Sequence, residues 1–249
     1  MISFLLAIQF LTILPLKIKE FSEKRIAWAL AYFPVAGLLL GAMLVGLNTL
    51  LSALGIPGLV VNIILVVALI ISTGGMHLDG LTDTADAFLS GKKKEEMLEI
   101  MRDPHIGVMG VLSLISVILL KIGLLSSVSP AIKPAALMLM CLLSRWSSVM
   151  AMYLFPYARQ EGKARLFMQG LNLKIFIASL IVALLFSFTL FGLSGLLALL
   201  IIAGCTYLIG KFSSRKIGGI TGDTLGATIE LMEIVTLLTV CVVERVIYG

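Results

Sequence analysis

Residues 59–88 read LVVNIILVVALIISTGGMHLDGLTDTADAF, an uncharged apolar run that ends in two glycines and passes straight into three aspartates. The first half is long enough to enter a bilayer. The second half places Asp79, Asp83 and Asp86 at i, i+4 and i+7. On a helix those positions fall within roughly 60° of one another. Three carboxylates on one face repel each other unless a cation lies between them. The chain has only 14 acidic residues in 249, so the cluster is not a by-product of composition. A divalent metal is the usual solution, and carboxylate-bound Mg²⁺ normally partners substrate phosphates. The plainer alternative is an acidic or N-capping helix start. It accounts for one aspartate better than for three.

The rest of the chain extends the membrane reading. It is 59% hydrophobic and 13% charged, with mean hydropathy +1.10, which lies outside the soluble range. Apolar runs long enough to span cover 28–51, 59–76, 107–128, 134–155, 174–191, 194–212 and 229–247. The expected fold is all-α: a polytopic membrane helical bundle of about seven transmembrane helices plus interfacial helices, forming one catalytic domain over 1–249. The opening stretch Ile2–Pro15 is apolar but short, without the basic leader and cleavage site of a signal peptide, and reads as interfacial or re-entrant. In 92–110, Met97, Ile100 and Met101 form an apolar stripe, which predicts an amphipathic helix on the membrane interface with Lys92–Lys94 toward lipid headgroups. Cys141, Cys205 and Cys241 lie inside apolar runs and read as free thiols. Two histidines, His77 and His105, argue against a zinc site.

Charge sets an orientation. Fifteen Lys and Arg fall in the segments 17–25, 77–106, 156–174 and 211–228, all on one side of a seven-span map. They include Lys17, Lys19, Lys24, Arg25, Arg159 and Lys163. The opposite short loops hold Lys133, with Arg245 near the C-terminal end. The basic side is therefore expected to be cytoplasmic, with the C-terminus outside. The net charge of +5 follows from this topology rather than from nucleic-acid binding. Nearly all polar chemistry lies on the basic side, which favours a one-sided membrane enzyme over a transporter.

Further candidates flank the cluster. Asp103, before Pro104, is a fourth possible ligand or a general base, with Gly107 and Gly110 suited to close helix packing. In 216–234, Gly218, Gly219, Gly222 and Gly226 form a loop that could bind phosphate through backbone N–H groups. Thr221 and Asp223 lie in the same loop, and Glu230 and Glu233 follow at the start of the last span. Arg145 falls mid-span with no acid apparent at its depth, so a cavity holding an anionic ligand would balance it. Lys121 lies nearer a span end and is expected to snorkel. Gly37 and Gly41 form a small-residue pair that could pack helices within or between chains, leaving a homo-oligomer open.

HLDGLTDTAD (77–86), EIMRDPHIGVMG (99–110) and GGITGDTLGA (218–227) resemble the cobalamin synthase family, the adenosylcobinamide-GDP ribazoletransferases. So do QFLTILP (9–15), FPVAGLLLG (33–41) and SRW (144–146), and the resemblance runs over nearly the whole chain. Pro104-His105 departs from the family pattern, which has Ser and a basic residue there. The resemblance implies a Mg²⁺-dependent enzyme of the inner membrane. It joins a corrinoid-GDP substrate to α-ribazole or its 5′-phosphate and releases GMP. On that reading Asp79, Asp83, Asp86 and Asp223 are the metal set, and Asp103 or Asp86 is the general base. His77, Arg102, Arg145, Lys216, Gly219, Thr221, Gly222 and Glu230 are the substrate or phosphate contacts.

Two rivals remain in view. A CDP-alcohol phosphotransferase also uses Asp-rich helices at the membrane, but its Ala-Arg after the first motif is absent here. An ion-coupled transporter needs intramembrane acids, and the sequence shows no evident mid-span Asp or Glu.

Overall fold

The computed structural model describes residues 1–16 and 22–248, with the side chains of 247 and 248 excepted. Lys17 and Lys19 therefore lie outside the described residues. Eleven α-helices are present among the described residues: α1 (Ile2–Leu11), α2 (Glu23–Ala29), α3 (Phe33–Ala53), α4 (Gly58–Ser72), α5 (Met76–Leu89), α6 (Lys94–Ile100), α7 (Val108–Ser127), α8 (Lys133–Leu154), α9 (Lys163–Met168), α10 (Leu173–Ile217) and α11 (Gly222–Tyr248). The protein is an all-α, multi-pass membrane protein.

Five helices are long and apolar enough to cross a membrane, or six when α4 and α5 are taken together. One of the five is α10, a 45-residue run that breaks at Gly192, where φ 57 and ψ −135 are not helical. Its two ends lie at the same end of the bundle: Phe176 stacks on Tyr153, and Tyr207 packs on Phe155. The run therefore goes over and back, and its arms match the expected spans 174–191 and 194–212. With those arms separated, every expected span has a counterpart.

The second span needs correction. Its helix stops at Ser72, and Gly74 and Gly75, both in the left-handed region, turn the chain by 88° into α5. Only glycine adopts that conformation without strain. α5 thus lies across one end of the bundle instead of continuing the crossing. The last helix also begins earlier than expected, at Gly222. Thr221 and Thr224 exchange backbone-to-hydroxyl bonds of 2.8 and 3.2 Å, which satisfies the first helical N–H groups.

α8 is the central post, and its residues from Leu139 to Val149 are all buried. α3 packs on it through Gly37 and Gly41, where a side chain would strike the α8 backbone at Cys141 and Met138. In lipid no hydrophobic force drives helices together, so close backbone packing by small residues carries association. This glycine pair is used inside the chain. Large apolar residues such as Leu119, Leu200 and Leu208 point outward, as lipid contact requires. Cys141 and Cys241 are buried and Cys205 half-buried, all free thiols.

α1 is too short to cross and packs through Leu6, Ala7, Ile8 and Leu11. The amphipathic helix exists as α6, but its stripe faces protein. Met97 and Met101 are buried against Ala87 and Ile217, which locks α6 under α5 and α10.

Candidate active site

Glycines bring the acids together. α5 and α11 cross at two contacts: a Cβ on Gly80 would lie 2.7 Å from the Asp223 carbonyl oxygen, and one on Gly226 would lie 3.1 Å from that of His77. Any larger residue at Gly80 would push Asp223 away from the face that carries Asp79 and Asp83. Gly219 is likewise pressed on the Pro156 carbonyl, and Gly218 ends α10 in the left-handed region. Gly219 and Gly226 therefore serve close packing, and Gly222 and Gly226 also border a cavity.

That cavity, of about 290 Å³, is bordered by His77, Asp79, Arg159, Lys163, Gly222 and Asp223. Asp83 sits beside it, half-buried. Burial first, and then the charges of Asp79 and Asp223, push its carboxyl up to about 7, while Arg159 opposes the shift. Such crowding marks a place where acids of one sign outnumber their counter-charges. A second, more open cavity of about 700 Å³ lies on the other side of α5, between Gly75, Asp79, Ile106, Leu114 and Ile118.

Arg159 is the residue the sequence did not single out. It entered there only as a loop charge. Its Nη2 lies 2.8 Å from Asp223 Oδ2, with both side chains largely buried. The loop that carries it is tied to the start of α11: Ala158 N–H donates to the Ile220 carbonyl and Ile220 N–H to the Pro156 carbonyl, each at 2.8 Å. Sixty-four positions separate Arg159 from Asp223, so no local pattern foretells the pair.

Asp86 turns away from this cavity. Its Oδ2 accepts Gly107 N–H at 2.7 Å and its Oδ1 accepts Gly110 N–H at 2.8 Å. It is the remote cap of α7, placed where a carboxylate is favoured by the helix dipole. Side chains at Gly107 or Gly110 would collide with that carboxylate, which explains both glycines. Asp86, expected as a metal ligand or base, is turned toward the start of α7 and does not border the cavity. Asp86→Ala is expected to cost about 1–2 kcal/mol of stability by orphaning two N–H groups. Thermal unfolding in detergent measures this, and activity should fall far less than for the cavity acids.

Asp103 does not border the cavity. It lies on an exposed turn, accepts His105 N–H at 3.0 Å, and lies 2.6 Å from His105 Nδ1. Those bonds from His105 hold its carboxyl below the usual range, which makes it a weaker base. The Pro104-His105 departure is thus a local closure of the turn on Asp103. Arg102 is exposed and Lys216 reaches the Phe88 carbonyl at 3.4 Å; neither borders the cavity. Thr221 is buried as the cap of α11 and lies 3.3 Å from Asp223 Oδ2.

Deeper still, four charges neutralise one another between α7, α8 and α11. Glu233 pairs with both Arg145 and Lys121, and Lys121 Nζ lies 2.6 Å from Glu230 Oε2. Arg145 and Glu233 are wholly buried. Arg145 therefore has a protein counterion and needs no anionic ligand, Lys121 does not snorkel, and Glu230 is paired with Lys121 and does not border the cavity. The absence of a mid-span acid, used above against a transporter, also fails. Glu233 is such an acid, but it is committed to two cations.

Among the described residues no three acids, histidines or cysteines converge tightly enough to hold a metal unaided. Mg²⁺ does not require that. It keeps several waters and commonly binds through one or two carboxylates plus substrate phosphates. Asp79 and Asp223, hard oxygen donors on one cavity wall, fit that pattern.

Residues 3–241 match the family model described as cobalamin-5-phosphate synthase. The chain is 40% identical over 234 residues to an adenosylcobinamide-GDP ribazoletransferase from Roseiflexus sp. (strain RS-1), covering 94% of this chain and 87% of that one. It is 38% identical over 229 residues to the protein of that name from Desulforamulus reducens, covering 92% and 91%. The one from Escherichia coli O139:H28 is 40% identical over 210 residues, covering 83% and 84%. No solved structure matches.

Proposed function

The chain belongs to the cobalamin-5-phosphate synthase family, and on that premise we propose that the cavity between α5 and α11 carries out adenosylcobinamide-GDP ribazole transfer. The observation that carries this reading is the convergence of Asp79, Asp83, Asp223 and Arg159, from three distant segments, at one end of the bundle. In phosphoryl transfer a protein mainly positions reactants and neutralises charge, and this set of groups does both.

A hydroxyl oxygen of α-ribazole, or of its 5′-phosphate, forms a bond to the phosphorus that carries the cobinamide. The phosphorus–oxygen bond to GMP breaks, and GMP leaves with the electron pair. The hydroxyl proton passes to Asp83, the half-buried carboxylate beside the cavity. Mg²⁺, held by Asp79 and Asp223 together with substrate phosphate oxygens, would supply charge neutralisation to the diphosphate. Lys163 adds a cation to the same wall. The cavity faces the cytoplasm on this reading. Lys92–Lys94, Arg102, Arg165, Arg215 and Lys216 cluster at its end of the chain map, while Lys133 marks the other.

The test is GMP release by the purified protein in detergent with Mg²⁺, adenosylcobinamide-GDP and α-ribazole. Release that requires both substrates is the expected result. Release that is unaffected by omitting α-ribazole would mean plain hydrolysis and would overturn the transferase reading.

A further inference from the structure

The geometry points to Arg159 as a catalytic residue that Asp223 holds in the resting site and that moves onto the transferring phosphoryl group when a divalent cation takes its place. This deepens the function proposed above and rests on it. Three observations support it.

The first is the pairing itself. Arg159 Nη2 is 2.8 Å from Asp223 Oδ2, and the two side chains are 12% and 21% exposed. Asp223 is one of the two carboxylates on the wall of the cavity, and Arg159 lies directly on it. A carboxylate cannot face a guanidinium and a divalent cation at close range without bringing like charges together. One cation must give way to the other.

The second is unused bonding capacity. A guanidinium carries five N–H donors in a planar fork. The Nε and Nη2 of Arg159 are both buried without a hydrogen bond among the described residues, the Nη2 contact with Asp223 being an ion pair that lacks hydrogen-bond geometry. A buried donor left unmade is costly, so these two are suited to a ligand that arrives later. Phosphate oxygens match the fork two at a time, which the point charge of nearby Lys163 cannot do.

The third is the anchoring. The bonds from Ala158 and to Pro156 fix the backbone around Arg159 to Ile220, at the start of α11. Exchange from Asp223 to phosphate then needs only a change of side-chain rotamer, with the main chain held in place. Without a cation the guanidinium neutralises Asp223, and with one it is released to the non-bridging oxygens of the reacting phosphorus.

The test uses Mn²⁺ as the probe, with the full-length chain in detergent and no substrate. In Arg159→Gln the competing charge is gone, so Mn²⁺ binding followed by electron paramagnetic resonance is expected to tighten by about threefold or more. GMP release at saturating substrates and Mg²⁺ is expected to fall by about a hundredfold or more in the same variant. Arg159→Lys keeps the charge and loses the fork. Its Mn²⁺ affinity stays near that of the wild type while release still falls by about tenfold. Unchanged or weaker Mn²⁺ binding in Arg159→Gln overturns the exchange. Release near the wild-type rate in both variants overturns the phosphoryl contact. Should Arg159→Gln fail to fold, wild-type release by Arg159→Lys is enough to overturn the contact. Tighter Mn²⁺ binding in a protein whose wild type releases no GMP would support the exchange and refute the assigned reaction instead.

Discussion

Asp79→Asn and Asp223→Asn are each expected to lower GMP release by about a hundredfold to a thousandfold, the scale of losing one preorganised electrostatic group at a reacting centre. Both carboxylates border the same cavity, and neither caps a helix. Asparagine keeps the shape and removes the charge, so the fold should be retained. Initial rates at saturating Mg²⁺ and substrates, with gel filtration as the control for folding, measure the effect. The contrast with Asp86 is the discriminating part. Of the i, i+4, i+7 set, Asp79 borders the cavity and Asp83 lies beside it, while Asp86 holds the start of α7. Near-wild-type rates in both variants would remove the cavity from the mechanism.

The second large effect concerns stability. Glu233→Ala strips Arg145 and Lys121 of their shared counterion inside the bundle. Breaking a buried pair typically costs about 3–5 kcal/mol. A protein has only about 5–15 kcal/mol in total, so the variant is expected to unfold well below the wild-type temperature or to fail to accumulate. Removing all four charges together, with Lys121→Met, Arg145→Met, Glu230→Gln and Glu233→Gln, leaves no buried ion unpaired. Much of the lost stability should return, because apolar replacement of a buried network is often near neutral. Thermal unfolding in detergent distinguishes the two variants. Equal stability of Glu233→Ala and wild type would mean that the network holds nothing together.

Much of this was legible in the chain because hydropathy is a local property. The apolar runs became helices, and of the clustered aspartates Asp79 came to border the cavity. What could not be read was partnership. The spacing of Asp79, Asp83 and Asp86 places them on one face, but it does not say that the last turn of that face meets the start of α7. In sequence Glu233 reads as a residue at the start of the last span, because the glycine-threonine-aspartate stretch before it reads as loop. The reciprocal Thr221–Thr224 cap starts the helix at Gly222, which carries Glu233 down to the level of Arg145. Arg159 was invisible for a different reason: an ion pair between a loop and a helix start 64 positions apart leaves no periodic trace.

Met76 and Asp79 border both cavities, so α5 is a partition one helix thick with a carboxylate on its edge. The more open cavity lies among apolar side chains of α4 and α7, including Ile70, Leu114 and Ile118. A single helix therefore stands between an apolar recess and the acidic cavity, and Asp79 is the charged group that the two share.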